Sequence, residues 1–353
     1  MQDVLLEFGP DGPAGFSGAR ITAETPEDLP ALFAAVEEAR AQGKWVAGLL
    51  SYELGYCFED RLLPLLPEVR DLPLADLVIS YGPEPPTRAA PGAVPSLEPE
   101  WSGEEYAARF ATLHDYIGAG DIYQANLTFP LTGGSGEAAA LYETLRQHQP
   151  VPYAALMGEV ACLSPELFFE IDGGVIRTRP MKGTAPRGET PEADRAAKAW
   201  LAEDPKNRAE NLMIVDLLRN DLSRIAKNVL VPKLFHVESY TTVHQMVSEV
   251  TGEIVDWQFE PVLRALFPCG SITGAPKIRA MEIIRDLESR PRGAYCGAMG
   301  WIAPDGRARF NVAIRTLHAG AQTRLDVGGG VVWDSTAQEE YAEALLKARF
   351  ARA

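Results

Sequence analysis

The stretch from Leu167 to Pro180 reads LFFEIDGGVIRTRP and predicts a β-hairpin. Two strand-like runs, FFEI and VIRT, flank Asp172, Gly173 and Gly174, and such a glycine-rich turn supplies the backbone angles of a tight hairpin. Further strand-like runs, including YAALMG and SEVTGEI, alternate with helical stretches from Trp101 onward. Strands joined by short turns run antiparallel, so the pattern favours antiparallel sheets over a doubly wound parallel sheet.

The residues before this region predict one amphipathic helix and two buried strands. The helix runs from about Pro26 to Ala41, and its apolar side chains recur at helical spacing: Leu29, Leu32, Phe33 and Val36. Residues 46–56 and 74–82 are apolar runs flanked by breakers, which is typical of buried strands.

A proline-rich segment divides the chain. Residues 83–100 contain many prolines and few large apolar residues, so they predict a surface connection. We expect residues 1–82 to form an N-terminal lobe and residues 101–353 to form the main body.

Composition excludes several classes of protein. Of 353 residues, 46% are hydrophobic and 23% are charged, which indicates a globular protein with a sizeable core. The net charge of -16 argues against nucleic-acid binding, which needs clustered Lys and Arg. The first residues do not resemble a signal peptide, no apolar run of about 18 residues occurs, and the four cysteines lack paired or metal-binding spacing. We expect a cytoplasmic enzyme with reduced cysteines and no membrane contact.

Two acidic helix faces are candidates for metal binding. Asn207 and Glu210 are three residues apart, and Glu340 and Glu343 repeat that spacing on a final helix. Carboxylate oxygens are the ligands that Mg²⁺ prefers. From the spacing alone, two solvated acidic faces remain the simpler interpretation.

The starts of both helices can be placed from capping residues. Asp204 followed by Pro205 is an N-cap with proline in the first turn. Ser335 and Gln338 have the spacing of a capping box, which would open a helix ending near Phe350.

Two glycine-containing stretches could approach an anion. Residues 270–284, GSITGAPKIRAMEII, place Gly274 beside Pro276 at a predicted helix N-terminus, whose free N–H groups can bind a carboxylate or phosphate. The run from Gly328 to Gly330 would let the backbone approach a ligand closely. Taken alone, either stretch is equally compatible with a tight turn, and neither matches the nucleotide phosphate loop.

Four other residues have ordinary interpretations when taken singly. Lys182, in RPMKGTAPRG, would usually face solvent. His244, Tyr295 and Arg315 would more often be partly buried structural residues than catalytic groups.

The order of the motifs changes these interpretations, because together they resemble the signature of chorismate-utilising enzymes. The motifs are SPELFFE, RPMKGTAPRG, ENLMIVDLLRNDLSRIA, VHQMVSEVTGEI, GSITGAPKIRAMEII, RGAYCGAMGWI, NVAIRT and GGGVVWDS, with DIYQANLT and SYELGY before them. This family includes the large subunits of anthranilate synthase and aminodeoxychorismate synthase, isochorismate synthases and salicylate synthases. The resemblance implies an α+β fold in which two antiparallel β-sheets pack as a sandwich with helices outside, and a chorismate-binding catalytic body at 101–353.

The resemblance also implies a magnesium site. Glu210 and Glu343 would bind Mg²⁺, with Glu340 and residue 207 farther out or bonded through water. Some relatives have an acidic residue where this chain has Asn207, so the number of ligands stays open. The ion would bind the ring carboxylate of chorismate.

The remaining substrate contacts are implied in the same way. The ring carboxylate would also meet the backbone around Ser271 and Gly274. Tyr295, Arg315 and a turn from Gly328 to Gly330 would hold the enolpyruvyl carboxylate, Arg315 through a charge-assisted hydrogen bond.

Lys182 distinguishes two branches of the family. Anthranilate synthases carry a small residue at the third position of a PxxGT motif, whereas the aminodeoxychorismate branch carries lysine, as in Pro180 to Thr184 here. If the Lys182 amine occupies C2 of chorismate, ammonia must enter at C4 and yield 4-amino-4-deoxychorismate, a precursor of p-aminobenzoate and folate. The amine must be neutral to attack. Glu166 would be the general acid, and His244 would polarise the C4 oxygen or orient the substrate.

The chain contains no stretch that resembles a glutaminase. We therefore expect ammonia to come from solution or from a separate glutamine amidotransferase subunit. The alternatives are an anthranilate synthase component I and a non-catalytic subunit that binds a chorismate-type ligand.

Overall fold

The protein, described by a computed structural model over residues 2–240, 243–288 and 290–351, consists mainly of antiparallel strands. Within these ranges there are nineteen strands: β1 (Val4–Gly9), β2 (Gly12–Phe16), β3 (Gly18–Ala23), β4 (Trp45–Leu50), β5 (Ala75–Ser80), β6 (Leu97–Pro99), β7 (Gln124–Gly133), β8 (Tyr153–Met157), β9 (Val160–Ser164), β10 (Leu167–Asp172), β11 (Val175–Thr178), β12 (Met181–Pro186), β13 (Lys227–Ser239), β14 (Val243–Glu253), β15 (Gly274–Ala275), β16 (Ala298–Ile302), β17 (Ala308–Asn311), β18 (Thr316–His318) and β19 (Thr323–Val331).

Eight α-helices connect the strands in the same ranges. They are α1 (Leu29–Ala41), α2 (Gly103–Gly118), α3 (Ala138–His148), α4 (Pro191–Glu203), α5 (Pro205–Ser223), α6 (Phe259–Leu266), α7 (Lys277–Leu287) and α8 (Ala337–Lys347). None of these helices is long and apolar enough to cross a membrane.

The strands form two antiparallel sheets. The first has the order β15-β7-β19-β18-β9-β8-β1-β2, with β6 also paired to β7. The second has the order β12-β14-β11-β10-β17-β16-β4-β5-β3, with β13 also paired to β14. The α+β prediction of two antiparallel sheets with helices is confirmed.

Three hydrophobic clusters show how the layers pack. One cluster joins β1 and β2 of the first sheet to β4 and β16 of the second, through residues such as Leu6, Phe16 and Met299, and fills the space between the sheets. A second cluster packs α1, α5 and α6 against the second sheet. A third packs α2, α3, α7 and α8 against the first. Helices therefore cover the outer face of each sheet.

The N-terminal region is built into both sheets. Strands β1 and β2 extend the first sheet beside β8, while β3, β4 and β5 extend the second beside β16. Much of residues 83–100 has no regular structure, but Leu97–Pro99 forms β6 and pairs with β7, and Leu97 is buried. The proline-rich connection is thus attached to the first sheet at its end.

The hairpin predicted from LFFEIDGGVIRTRP is confirmed. Asp172 lies opposite Val175 at the end of the β10–β11 pair. Gly173 and Gly174 both have positive φ angles, 56° and 75°, which glycine adopts without the steric penalty of a side chain. The four cysteines are free, as predicted.

The predicted strand at 46–56 is only half right. Strand β4 ends at Leu50, and residues 52–58 form a 3₁₀ helix. The carboxylate of Glu53 in this turn is buried and accepts the N–H groups of Arg292 and Gly293, at 2.8 and 3.0 Å. An extended chain could not direct Glu53 to these partners, which are distant in sequence.

The two predicted helix caps had different outcomes. Asp204 caps α5, since its carboxylate accepts the Asn207 N–H at 2.9 Å. The prediction for α8 is wrong: Thr336 is the cap, and the Ser335 hydroxyl instead donates to Glu340 at 2.7 Å. That helix ends at Lys347 and is followed by a short 3₁₀ turn.

Candidate active site

Lys182 lies in an irregular part of β12, where the strand meets the start of α5. The register of β12 against β14 shifts between Met181 and Thr184, and Gly183 has a φ of 86°. Burial is the main cause that lowers the pKa of the Lys182 amine, and the charge of Lys347 lowers it further. The nearby carboxylates of Glu210, Glu166 and Glu343 act in the opposite direction. The side chain of Lys182 is thus partly buried, and its amine lies near carboxyl groups.

Glu166 follows β9 and is only 4% exposed. Its main chain is fixed on both sides: the N–H donates to the Ser164 hydroxyl, and the carbonyl accepts the Val312 N–H. The Ser271 hydroxyl donates to a Glu166 carboxylate oxygen at 2.7 Å. Burial raises the pKa of Glu166 to about 7, while Ser271 and Lys182 oppose the rise. A carboxyl group with this pKa can hold a proton near neutral pH, as a general acid must.

The three predicted metal ligands come from two helices. Burial raises the pKa values of Glu210 on α5 and Glu340 on α8, and the charge of Glu343 raises both further. Burial also raises the pKa of Glu343, but Lys347, whose amine lies 2.8 Å from that carboxylate, holds it below the usual value. The carboxylates of Glu210 and Glu343 are therefore close enough to affect each other across two helices.

The oxygen atoms of these carboxylates are suitable ligands for a magnesium ion. Mg²⁺ is commonly held by one or two protein carboxylates and keeps several water molecules. Over the residues that the structure describes, no three His, Cys, Asp or Glu side chains are grouped as a ready set of ligands. Glu210 and Glu343 fit a site with two carboxylates, in which water or substrate completes the coordination.

The glycine run from 328 to 330 is a strand and not the predicted turn. These residues belong to β19 and lie opposite Thr128, Leu127 and Asn126 of β7. A Cβ atom on Gly329 would lie 2.8 Å from a carboxylate oxygen of Glu340. On Gly330 it would lie 2.8 Å from the Gln124 amide nitrogen and 3.2 Å from the Lys182 amine. The strand leaves space for the functional side chains to come close to its backbone.

The loop before α7 is also held in place by strand pairing, and it does not form the free helix N-terminus that the sequence predicted. Residues 270–272 form a 3₁₀ turn, and Gly274 lies opposite Ala125 of β7. The helix begins at Lys277, whose amine is bonded to Asp221 and to the Leu266 carbonyl oxygen. The prediction of Pro276 in the first helical turn is one residue early, since Pro276 is the N-cap.

Arg315 and Tyr295 are the predicted contacts of the second carboxylate. Arg315 has a φ of 51°, and burial lowers the pKa of its guanidinium. Among the described residues no carboxylate lies within ion-pair distance of Arg315. Burial raises the pKa of Tyr295 well above its ordinary value, so its hydroxyl remains neutral. A partly buried guanidinium without a counter-ion among the described residues favours binding of an anionic ligand.

His244 is not brought to this cluster. One ring nitrogen lies 2.9 Å from the Ser239 hydroxyl and the other 3.0 Å from a carboxylate oxygen of Asp194. Asp194 also accepts two bonds from Arg187, which connects α4 to the end of β12. Both ring nitrogens of His244 are therefore engaged by residues outside the predicted site, and its contact with the substrate stays a prediction.

Two residues that the sequence analysis missed belong to the cluster. Gln124 is fully buried, and among the residues that the structure describes neither atom of its carboxamide has a hydrogen-bond partner. Its place in the DIYQANLT motif was the available signal. Lys347 donates to the Gly328 carbonyl oxygen at 3.0 Å and pairs with Glu343, and its i,i+4 spacing from that glutamate was visible in the sequence.

A separate cleft of about 580 Å³ lies elsewhere in the fold. Most of the charged side chains that line this cleft are paired with one another. Glu170 is bonded to Arg177 and Arg309, and Lys233 is bonded to Glu249. None of the predicted site residues lines it.

Known proteins resemble this chain over most of its length. A family model described as "chorismate binding enzyme" matches residues 78–353. Aminodeoxychorismate synthase component 1 of Salmonella typhimurium is 37% identical over 85% of this chain and 74% of its own length. Anthranilate synthase component 1 1 of Haloarcula marismortui is 41% identical over 72% of this chain, which spans 54% of that relative.

The fold is also that of solved structures. Anthranilate synthase component I from Streptococcus pneumoniae superposes with a TM-score of 0.75 at 25% identity, covering 88% of this chain and 81% of the other. The sandwich described above is therefore the fold of that protein.

Replacing Ser271 by Ala is expected to raise the pKa of Glu166 by about one unit, because a hydrogen bond that stabilises the carboxylate is lost. The titration can be followed by ¹³C NMR of labelled glutamate carboxyl groups, with Glu166→Gln identifying the signal. Thr273→Ala is the matched control, since the Thr273 hydroxyl donates to backbone carbonyls and not to Glu166. An unchanged pKa in Ser271→Ala would show that Ser271 does not act on Glu166.

Proposed function

Because the chain belongs to the family of chorismate-binding enzymes, we propose that it aminates chorismate at C4, the activity of an aminodeoxychorismate synthase component 1. The observation that carries this choice within the family is the position of Lys182. Its amine lies beside Gly330 and near Glu166 and Glu210, on a side chain that is partly buried. The names of the similar relatives support the same activity.

Lys182 acts as a nucleophile that occupies C2 of the ring. A lysine amine reacts only when neutral, and burial shifts its pKa in the required direction. Because C2 is then blocked, an incoming ammonia molecule must react at C4. A small residue at this position would leave C2 open to ammonia and lead toward anthranilate.

Each step balances in atoms and charge. The Lys182 nitrogen forms a bond to C2, the two ring double bonds each shift by one position, and the C4–O bond breaks. Glu166 gives its proton to the departing hydroxyl, which leaves as water. Ammonia then bonds to C4, the double bonds shift back, and the C2–N bond breaks to release neutral Lys182. The proton that ammonium loses on becoming ammonia restores Glu166.

The substrate is held through its two carboxylates. Arg315 is a partly buried cation suited to one carboxylate, and the neutral hydroxyl of Tyr295 would be a second donor to that group. For the other, Glu210 and Glu343 would hold Mg²⁺, with Glu340 behind them, and the bound ion would supply positive charge for the ring carboxylate. Ser271 and the backbone near Gly274 lie on the Glu166 side of the same pocket.

Anthranilate synthase is the second candidate, because a relative of that name has comparable identity. Overall similarity does not separate the two activities, whereas the chemistry at C2 does. A binding subunit without catalysis is disfavoured by Glu166 and Lys182, a buried carboxyl group and an amine close enough to act on its pKa.

When it is supplied with chorismate, ammonium and Mg²⁺, the unaltered chain is expected to form 4-amino-4-deoxychorismate. The Lys182→Ala variant is expected to lose at least about a hundredfold of that activity, because nucleophilic groups contribute to catalysis on this scale. Chromatography with mass detection distinguishes the product from 2-amino-2-deoxyisochorismate and anthranilate. Trapping during turnover should add mass to the peptide containing Met181 to Thr184 in the unaltered chain only.

Lys182→Arg is the control for charge, because it keeps a cation but cannot form the adduct. Parent-level activity in Lys182→Arg or Lys182→Ala would refute the nucleophilic role. Anthranilate as the main product of the unaltered chain would select the second candidate.

Replacing Glu210 by Gln is expected to weaken Mg²⁺ binding by about a hundredfold, because one of two carboxylate ligands is lost. Isothermal titration with MgCl₂ in the presence of chorismate measures this directly, and EDTA should abolish turnover. Glu203→Gln, the same change at an exposed position on α4, is the control. Equal Mg²⁺ affinity in Glu210→Gln and the parent would remove Glu210 from the site.

The ammonia donor is proposed to be a separate glutamine amidotransferase subunit, in keeping with relatives that are named as component 1. The purified chain should use ammonium but not glutamine as nitrogen source. Glutamine-dependent product formation should appear only when a glutaminase subunit is added. Product formation from glutamine by the chain alone would contradict this arrangement.

A further inference from the structure

Arg292 is a buried cation that contacts the candidate site only through backbone groups. It is 3% exposed, and its guanidinium reaches two segments that are distant in sequence. One nitrogen donates to the Ile272 carbonyl oxygen at 2.9 Å, and another donates to the Asn126 carbonyl oxygen at 2.7 Å.

The position of the guanidinium is fixed by a carboxylate. Glu288, on the other side, accepts two bonds from Arg292, at 2.8 and 2.7 Å. The same Glu288 oxygen that binds Nη2 also accepts the N–H and the hydroxyl of Thr128, both at 2.9 Å. The pair is thus planar, bidentate and tied to strand β7 at two places.

The main chain of Arg292 is fixed as well. Glu53, from the 3₁₀ turn after β4, accepts the N–H groups of Arg292 and Gly293. The ring of Tyr52 lies 4.6 Å from the guanidinium carbon. These contacts leave the side chain with few alternative positions.

The two carbonyl groups that Arg292 holds belong to neighbouring backbone segments of the proposed chorismate pocket. Ile272 directly follows Ser271, whose hydroxyl binds Glu166. Asn126 lies opposite Gly330, the glycine beside the Lys182 amine, and its N–H donates to the Thr273 carbonyl oxygen at 2.8 Å. The guanidinium therefore adds side-chain bonds to backbone pairing and holds the turn that carries Ser271 against β7.

We propose that Arg292, oriented by Glu288, is a positioning residue that holds the turn carrying Ser271 against strand β7 in the chorismate pocket. Stability alone does not explain a buried ion pair here, since replacing such a pair by apolar residues is often neutral or stabilising. The planar fork of arginine holds two carbonyl oxygens and one carboxylate at fixed angles, which an ammonium group cannot do. This inference rests on the proposed function, because it concerns the pocket for that substrate.

The test compares Arg292→Lys with Arg88→Lys. Arg88 also binds two carboxylates, Glu7 and Glu143, but it lies in the connection far along the chain from the site residues. Arg292→Lys is expected to raise KM for chorismate about tenfold, and the Kd measured by calorimetry with chorismate by a similar factor. KM for ammonium and the mass adduct at Lys182 should persist. Arg88→Lys should leave the chorismate constants unchanged.

Glu288→Gln provides a second variant if Arg292→Lys does not fold, because it keeps the size of the side chain and removes the charge that orients Arg292. It should raise the chorismate constants by a smaller factor. A purely structural role would lower the amount of active protein, and so kcat, with KM unchanged, and that result would overturn the inference. Turnover by the unaltered chain with equal KM in all variants would also overturn it. If the unaltered chain neither binds nor converts chorismate, the proposed function fails, and this inference with it.

Discussion

The close approach of strand β19 to the reactive side chains depends on residues 328–330 having no side chains. A Cβ at Gly329 or Gly330 would come within 2.8 Å of Glu340 or of Gln124, and at Gly330 within 3.2 Å of the Lys182 amine. Because the run is part of a regular strand paired to β7, its backbone cannot move away to make room. The glycines thus fix how near the amine and the carboxylates can lie, and the rest of the site is arranged around that spacing.

The charge distribution follows from the same arrangement. A chain with a net charge of -16 still places cations where anions are expected: Lys182 and Arg315 are partly removed from solvent, and Lys347, which is exposed, pairs with Glu343. Lys182 and Lys347 face acidic partners, whereas Arg315 has no such partner among the residues described. Burial lowers the pKa of the Lys182 amine against the opposing effect of the nearby carboxylates, while Arg315 is left available for a ligand.

The proposed pocket also depends on groups that do not touch the substrate. Ser271 holds Glu166, Arg292 holds the backbone after Ser271, and Glu288 and Glu53 hold Arg292. Glu53 comes from the N-terminal region and Glu288 from the end of α7. Residues 1–82 therefore contribute to the geometry of a site whose reactive groups all lie after residue 120.

The sequence by itself determined the features that depend on neighbouring residues. The β10–β11 hairpin followed from glycines that permit positive φ angles, and the cap of α5 followed from Asp204 and Pro205. The ordered motifs indicated the family, and with it Lys182, Glu166 and the acidic residues of α5 and α8. Only the tertiary structure decided that the glycine run is a strand and that His244 is bonded to Asp194 and Ser239. It alone showed that the Gln124 carboxamide has no hydrogen-bond partner among the described residues and that Arg292 connects the turn after Ser271 to β7. These features depend on contacts between residues far apart in the chain, and local spacing carries no information about such contacts.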